Sequence, residues 1–188
     1  MPTPDPSMRP RRNLELKVRL APEAMAGVRE RTLALGVPIA CQRQVDRYFA
    51  VPEGRLKLRA IAYDTEPSRA ELIAYRRPNA AGSRWSAYRI TPLDPDVADD
   101  LAATLAHVLP VVAEVRKRRE IAIWRSTRIH LDDVEGLGPF VELETVLSDQ
   151  EEARAKAEHR EVIERLGLAT WPVEATSYSD MLRRQAAR

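Results

Sequence analysis

The stretch that decides the fold is N-L-E-L-K-V-R-L, residues 13–20. It alternates aliphatic residues strictly with the polar residues Asn13, Glu15, Lys17 and Arg19. A period of two places successive side chains on opposite faces of a β-strand. The stretch therefore predicts a strand with one charged face and one aliphatic face.

The same alternation returns in three later segments that are also predicted to be strands. Charged residues occupy every second position in three sets: Arg55, Lys57 and Arg59; Arg116, Arg118 and Glu120; Glu142 and Glu144. Periodicity alone favours an open sheet or a sandwich with its charged faces in water. The alternative is a closed barrel with its charged faces inward, which needs water, carboxylates or a polyanion because buried like charges are unstable.

Turn and helix signals divide the rest of the chain into short strands with helices between them. The predicted strands are 13–20, 42–51, 55–63, 70–77, 84–91, 111–124, 127–134 and 140–147. The predicted helices are 24–35, 96–108, 150–166 and 178–184. Residues 1–11 are rich in Pro and Arg and predict a flexible leader, and residues 12–188 predict a single strand-dominated α+β domain.

The composition limits the classes of partner. The 188 residues are 44% hydrophobic and 31% charged, with a net charge of only +2. A nucleic-acid-binding domain is usually clearly basic, and the run 116–119 has no interleaved aromatic residues, so nucleic acid is not expected as a partner. The chain has no apolar run long enough to span a membrane, and it has a single cysteine, Cys41. A cytoplasmic protein without a membrane partner is expected.

The mixture of charges on the alternating faces points to a phosphate ligand. Arg and Lys suit phosphate oxygens, so several on neighbouring strands can hold several phosphates. Glutamates beside phosphate would repel it unless a hard cation such as Mg²⁺ or Mn²⁺ lay between them. His107, His130 and His159 have no metal-ligand spacing, and His130 is expected to be a surface or hydrogen-bonded histidine.

Five motifs in order resemble the CYTH, or triphosphate tunnel metalloenzyme, family: N-L-E-L-K, R-L-K-L-R, V-R-K-R-R-E, R-I-H-L-D-D-V-E-G-L-G-P-F and V-E-L-E. The resemblance extends from Asn13 to Leu182. It implies a closed antiparallel eight-stranded β-barrel, with helices packed outside, that binds triphosphates with divalent metals. The family includes class IV adenylyl cyclases, thiamine triphosphatases and inorganic triphosphatases.

The resemblance also implies roles for particular residues. Glu15, Glu142 and Glu144 are the implied ligands of Mg²⁺ or Mn²⁺. Asp132 is expected near the metal or orienting its ligands, and the catalytic candidates are Glu15, Lys17 and Asp132. The implied phosphate-binding residues are Lys17, Lys57, Arg59, Arg76, Arg89, Arg118 and Arg128, with either Arg76 or Arg77 pointing inward.

One position departs from the family's opening motif, Glu-x-Glu-x-Lys, because Asn13 stands where the first Glu is expected. Asparagine can ligate a metal weakly through its carbonyl oxygen but brings no charge. The loss of a carboxylate should weaken a second metal and the activation of a water molecule. It does not abolish triphosphate binding.

Three functions follow as hypotheses. The first is a class IV adenylyl cyclase, in which the 3′-hydroxyl of ATP, its pKa lowered by the metal, attacks the α-phosphorus and pyrophosphate leaves. The second is a triphosphatase acting on inorganic triphosphate, a nucleoside triphosphate or thiamine triphosphate. The third, motivated by Asn13, is a non-catalytic sensor of polyphosphate or nucleotide. A homodimer is also a prediction.

Overall fold

The structure is a computed structural model, and it describes residues 11–76, 82–147 and 152–187. The strands are β1 (Arg11–Arg19), β2 (Ile39–Phe49), β3 (Arg55–Ala62), β4 (Arg69–Arg76), β5 (Arg84–Leu93), β6 (Val111–Trp124), β7 (Thr127–Val134) and β8 (Gly138–Leu147). The helices are α1 (Met25–Leu33), α2 (Pro95–Val108), α3 (Glu152–Leu166) and α4 (Tyr178–Ala186). Of the predicted leader, residues 1–10 lie outside the described part of the chain.

The eight strands form one closed barrel in the order β1, β5, β4, β3, β2, β6, β7, β8, and β8 pairs with β1. Every neighbouring pair is antiparallel. Closure leaves no unpaired sheet edge and separates an inner face from an outer face. The closed eight-stranded barrel expected from the family resemblance is confirmed, and the open sheet is not.

Strand β1 shows which face points inward. Its Leu16 and Val18 pack outward into a core that includes Val162 and Leu166 of α3 and Val28 of α1. The alternate residues of β1, from Asn13 to Lys17, are buried on the inner side. Aliphatic side chains therefore gain their burial under the helices, which leaves the barrel interior to polar groups.

Helix α2 covers another part of the outer face of the barrel, and the first residue of helix α4 enters the interior. Ala98 and Ala102 of α2 pack on Leu58 and Ala70 of β3 and β4. Helix α4 begins at a cap in which Ser177 Oγ accepts from the Asp180 backbone N–H. That cap brings the first residue of α4, Tyr178, into the barrel interior, where its ring meets Phe140 edge-on at 5.0 Å.

Most predicted element bounds agree with the structure to within about three residues, as expected when strand ends depend on pairing. The largest difference is at β2, which begins at Ile39 because Ile39 pairs with Ala122 of β6. The first helix begins at Met25, after a 3-10 turn over Pro22–Ala24. No helix in the described ranges is both long enough and apolar enough to cross a membrane.

Candidate functional site

The barrel interior holds a cavity of about 640 Å³, a volume typical of sites for small molecules. All eight strands contribute to its lining, together with Ser177 and Tyr178 at the start of α4. The charged lining residues are seven cations and four carboxylates: Lys17, Lys57, Arg59, Arg89, Lys117, Arg119, Arg128, Glu15, Glu71, Glu142 and Glu144. Such a lining is built for an ionic ligand.

On β2, β3 and β6, three cations surround one buried carboxylate. Asp46 Oδ2 lies 2.8 Å from Lys57 Nζ and 3.3 Å from Lys117 Nζ, and Asp46 Oδ1 lies 2.6 Å from Arg59 Nε. Burial by itself would raise the pKa of Asp46, but the charges of Arg59, Lys117 and Lys57 outweigh it and hold that pKa well below its usual range. We call these four residues the Asp46 cluster.

The surroundings of Lys117 in this cluster destabilise its charged form. Burial and the neighbouring Arg119 and Arg59 lower the pKa of Lys117 to about 7, although Asp46 acts in the opposite direction. One carboxylate therefore does not compensate the surrounding cations fully. A polyanion in the cavity would favour the charged form of this lysine.

Arg119 lies where the Asp46 cluster meets the neighbouring strands. Its guanidinium donates to both carboxylate oxygens of Asp132 at 2.5 Å and to Glu142 Oε2 at 3.0 Å. The hydroxyl of Tyr178 donates to Asp132 Oδ2 at 2.9 Å. Asp132 is fully buried and does not line the cavity. The structure thus gives Asp132 the geometry of a group that orients Arg119, and its expected catalytic role remains a prediction.

On β1 and β8, three glutamates come together from sequence positions more than a hundred residues apart. Strand pairing sets Glu15 directly opposite Glu144, and Lys17 opposite Glu142. Glu142 forms an ion pair with Lys17 at 3.5 Å, and Glu144 forms one with Arg128 at 3.2 Å. We call Glu15, Glu142 and Glu144 the carboxylate cluster.

The surroundings of Glu142 and Glu144 keep these two members of the cluster charged. Burial alone would raise the pKa of Glu142, but Lys17 and Arg119 hold it well below its usual range. Burial likewise opposes ionisation of Glu144, and the net effect of its surroundings, His130 and Arg128 among them, is a lowered pKa. Ionised carboxylates gathered in one place are the ligands that hard divalent cations prefer.

His130 on β7 lies beside Glu142 and Glu144 of the carboxylate cluster. Its ligand atom lies with one oxygen each of Glu142 and Glu144 in a group whose members are all within 4.8 Å of one another. It is buried, and its Nδ1 has no hydrogen-bond partner, since Glu144 Oε1 is 3.9 Å away. The expectation of a surface or hydrogen-bonded histidine is therefore wrong for Nδ1, and sequence spacing could not have shown this because the two glutamates lie on another strand.

Several residues that line the same cavity have buried polar atoms without a hydrogen-bond partner. Asn13 Oδ1, Gln44 Oε1 and His130 Nδ1 are buried without a hydrogen-bond partner, and all three residues line the cavity. Buried polar atoms are nearly always paired in native proteins, by the protein itself or by water or a ligand. The donor and acceptor set on β1, β7 and β8 therefore fits a bound metal and its water or phosphate ligands.

Comparison with known proteins agrees with this architecture. A family model of the CYTH domain matches residues 11–178. The chain belongs to the CYTH domain family. No curated protein matches the chain.

Solved structures share the CYTH barrel at low sequence identity. The PH1012 protein from Pyrococcus horikoshii OT3 has a TM-score of 0.72 at 23% identity, over 89% of this chain and 98% of that one. HpAC1 from Hippeastrum, a proposed adenylyl cyclase with a dominant triphosphatase activity, has a TM-score of 0.64 at 15% identity, over 94% and 96%. The Mimivirus capping enzyme triphosphatase has a TM-score of 0.55 at 11% identity, over 82% and 90%. At these identities the likeness shows the fold.

The CYTH barrel brings eight of the eleven predicted site residues to its cavity: Glu15, Lys17, Lys57, Arg59, Arg89, Arg128, Glu142 and Glu144. Their roles toward a metal and a triphosphate remain predictions. Arg89 differs from the others because it is an exposed residue, although it reaches the lining.

Arg118 does not point into the barrel, and this prediction is wrong. Its side chain is 58% exposed and pairs with Glu120 on the outer surface at 2.8 Å. Lys117 and Arg119 hold the inner positions instead. Alternation could not choose between the two sets because the run 116–119 is basic at every position. The pairing of Arg119 with Asp132 on β7 and with Gln42 on β2 fixes the register.

Arg76 is likewise outside the cavity. Its side chain is 75% exposed and pairs with Glu53 at 2.8 Å, whereas its neighbour Tyr75 lines the cavity. The alternative, Arg77, lies outside the described residues. Sequence reasoning also missed Asp46, although it continues the alternating polar positions of Gln42 and Gln44 on the inner face of β2.

Proposed function

We propose that this CYTH protein is a metal-dependent enzyme that binds an organic triphosphate in its barrel and acts on it as a class IV adenylyl cyclase, forming cyclic AMP and pyrophosphate from ATP. The observation that carries the proposal is the pairing, within one cavity, of the incompletely compensated Asp46 cluster with the ionised carboxylate cluster. The first suits phosphates and the second suits a divalent cation.

Family membership supports the coarser part of the proposal. CYTH relatives include the Mimivirus capping enzyme triphosphatase and HpAC1, and together with the family match they indicate an enzyme that acts on phosphoanhydrides. The organic part of the substrate and the bond that breaks are the finer proposals. They depend on the cavity of this chain.

Phosphate binding is assigned to the inward cations. Lys57, Lys117 and Arg59 already converge on Asp46, so their charged groups are held close together before a ligand binds. Lys17 and Arg128 pair with Glu142 and Glu144, and they would offer further cations to phosphate oxygens beside the carboxylate cluster. Groups held in place beforehand lose little conformational entropy on binding, which favours both affinity and transition-state stabilisation.

The carboxylate cluster would hold Mg²⁺ or Mn²⁺, with Glu142 and Glu144 as ligands and Glu15 beside them. A bound divalent cation there would neutralise phosphate charge and lower the pKa of a hydroxyl that it binds. Glu142 also fixes Arg119, whose fork suits a departing phosphate group. In the proposed reaction the 3′-oxygen gives up its proton to water and bonds to the α-phosphorus. The bond from the α-phosphorus to the bridging oxygen breaks, and pyrophosphate leaves with that oxygen.

An organic group has room in this cavity beside the phosphates. The lining contributed by β3, β4 and β5 includes Ile61, Ile73, Ile90, Tyr75 and Tyr88. This group of apolar and aromatic side chains lies on the same strands as Lys57, Arg59, Glu71 and Arg89, and it suits a base or another apolar ring beside the phosphates. It favours an organic triphosphate over inorganic triphosphate.

A triphosphatase is the second candidate, and one observation favours it. HpAC1, which shares the fold of this chain, is a proposed adenylyl cyclase with a dominant triphosphatase activity. Asn13 acts against this candidate because it removes a carboxylate that could assist the activation of a water molecule.

The deciding experiment is product analysis. Purified protein is incubated with ATP, inorganic triphosphate or thiamine triphosphate and with Mg²⁺ or Mn²⁺, and the products are resolved chromatographically. Cyclic AMP with pyrophosphate supports the cyclase, and phosphate alone supports the triphosphatase. A double variant, Glu142→Gln with Glu144→Gln, excludes contaminating activity. If no product forms while ATP or triphosphate still binds, both enzyme functions are contradicted and the sensor hypothesis gains support.

A further inference from the structure

We propose that His130 supplies a nitrogen ligand to the metal of the carboxylate cluster, so that this CYTH protein binds Mn²⁺ in preference to Mg²⁺. The inference rests on the proposed metal-dependent function and deepens it. It concerns a residue whose sequence spacing gives no indication of metal binding.

Strand pairing holds the three candidate ligands in place. His130 on β7 is the direct partner of Glu142 on β8, and Glu144 follows two residues later on the same face. One ligand atom from each residue falls within 4.8 Å of the other two. Because all three side chains extend from paired strands, their convergence does not depend on a mobile loop.

The Nδ1 nitrogen of His130 is available to bind a metal. Its Nδ1 is buried and lacks a hydrogen-bond partner, and the residue lines the cavity. A bound cation would give the unpaired nitrogen the partner that the described residues do not provide.

Asn13 explains why a nitrogen ligand matters in this chain. A neutral residue stands on β1 where the family motif has a carboxylate, and Asn13 Oδ1 is itself buried and unpaired. His130 adds a strong neutral ligand to the remaining carboxylates. Mg²⁺ prefers oxygen ligands in octahedral geometry, whereas imidazole suits transition metals, and affinity rises from Mn²⁺ along the first transition row. A mixed nitrogen and oxygen set therefore shifts preference away from Mg²⁺.

Metal and triphosphate binding should reinforce each other at this site. Glu142 pairs with Lys17 and Arg119, and Glu144 pairs with Arg128. A metal that takes these carboxylates releases the cations, and phosphate oxygens can then pair with them. Tighter Mn²⁺ binding is therefore expected in the presence of inorganic triphosphate than in its absence.

Pulsed electron paramagnetic resonance of bound Mn²⁺ tests the ligand directly, without reference to activity. The holoprotein is frozen with Mn²⁺ and inorganic triphosphate, and nitrogen coupling to the metal is measured. We expect a ¹⁴N coupling that becomes a ¹⁵N coupling in protein grown with ¹⁵N-labelled histidine. This comparison uses the unaltered chain, so it does not depend on whether a variant folds.

Variants then assign the nitrogen. His130→Gln should lose the coupling, whereas His107→Gln on the exposed face of α2 and His159→Gln should keep it. His130→Asp should raise the affinity for Mg²⁺ relative to Mn²⁺ by about tenfold in competition experiments. Circular dichroism confirms that each variant is folded.

Two results would overturn the proposal in distinguishable ways. Mn²⁺ bound without nitrogen coupling, and lost in Glu144→Gln, leaves the carboxylate site and the proposed function intact but removes His130 from it. Mn²⁺ that fails to bind, with or without triphosphate, contradicts both His130 ligation and the metal dependence of the proposed function.

Discussion

On β2, β3 and β6 the barrel interior places three cations around the single carboxylate of Asp46, whereas on β1 and β8 it gathers three carboxylates between flanking cations. The first side carries net positive charge within the folded chain. The second side pairs Glu142 with Lys17 and Glu144 with Arg128, which leaves these two acids ionised and close together. The two sides are complementary to the two halves of a metal–triphosphate complex.

The difference shows how a closed barrel can tolerate a charged interior. Isolated buried charges are unstable, but Asp46 has three cations within hydrogen-bonding or ion-pair distance, and Glu142 and Glu144 each have a cation within that distance. Removing a partner should therefore affect folding on the side where compensation is already incomplete. Removing a carboxylate should affect function on β1 and β8, where the glutamates are the proposed metal ligands.

The largest effect is expected from Asp46→Asn. This change leaves Lys57, Lys117 and Arg59 buried together without a counter-charge, and loss of one partner of a buried ion pair costs about 3–5 kcal/mol. The free energy of unfolding from urea titration measures it. Inorganic triphosphate should restore more stability to this variant than to the unaltered chain, and an unchanged unfolding free energy would show that Asp46 does not balance these cations.

The next largest effect is expected from Glu144→Gln. Loss of one carboxylate ligand should lower metal-dependent kcat/KM by about a hundredfold. Steady-state assays over a range of Mg²⁺ and Mn²⁺ concentrations measure this. Glu161→Gln, which removes an exposed glutamate of α3 that pairs with Arg125 and Arg165, is the matched control and should leave activity unchanged. Equal activity in the two variants would contradict a metal site at Glu144.

A smaller effect is expected from Lys57→Ala. Its amine lines the cavity, so its loss should raise the Kd for triphosphate by about tenfold, as measured by calorimetry. Arg118→Ala is the control because its side chain lies on the outer surface. If Arg118→Ala weakened binding as strongly as Lys57→Ala, the assignment of inner and outer faces on β6 would be contradicted.

The smallest effect concerns protons at Lys117. Burial and Arg119 lower its pKa to about 7, so at pH 8 about nine-tenths of this lysine is neutral in the free protein. Triphosphate should raise that pKa, and binding at pH 8 should therefore take up close to one proton. The sign follows because the bound state holds more protons, so affinity falls as the pH rises above 7.

Calorimetry in buffers with different ionisation enthalpies measures this uptake. Lys117→Met removes the titrating amine and should reduce the uptake to near zero. Proton release on binding, or the same uptake in Lys117→Met, would mean that triphosphate does not approach the Asp46 cluster.

Much of the fold could be predicted from local pattern. The period of two in residues 13–20 and 55–63 fixes strands with one charged face, because alternate side chains must point to opposite sides. Motif order then indicated the closed barrel through its resemblance to the family. Glu15, Glu142 and Glu144 were found in this way, and strand pairing brings them together.

The misses have specific physical causes. The basic run 116–119 satisfies either alternation, so its pairing with the neighbouring strands β7 and β2 selects Lys117 and Arg119 for the interior. Arg76 stands next to the inward Tyr75, and a difference of one residue turns a side chain to the other face. Asp46 and His130 stand among other polar residues of their strands, and their importance comes from neighbours on other strands.

The sequence by itself determined that this chain has charged strand faces, Lys and Arg for phosphates, glutamates for a cation, and Asn13 in place of a carboxylate. These are properties of residue identity and of the two-residue period. The tertiary structure decided which charges meet: Asp46 with three cations, and His130 with Glu142 and Glu144. Closure of the barrel sets that choice, because pairing register between distant strands determines the distances between their side chains.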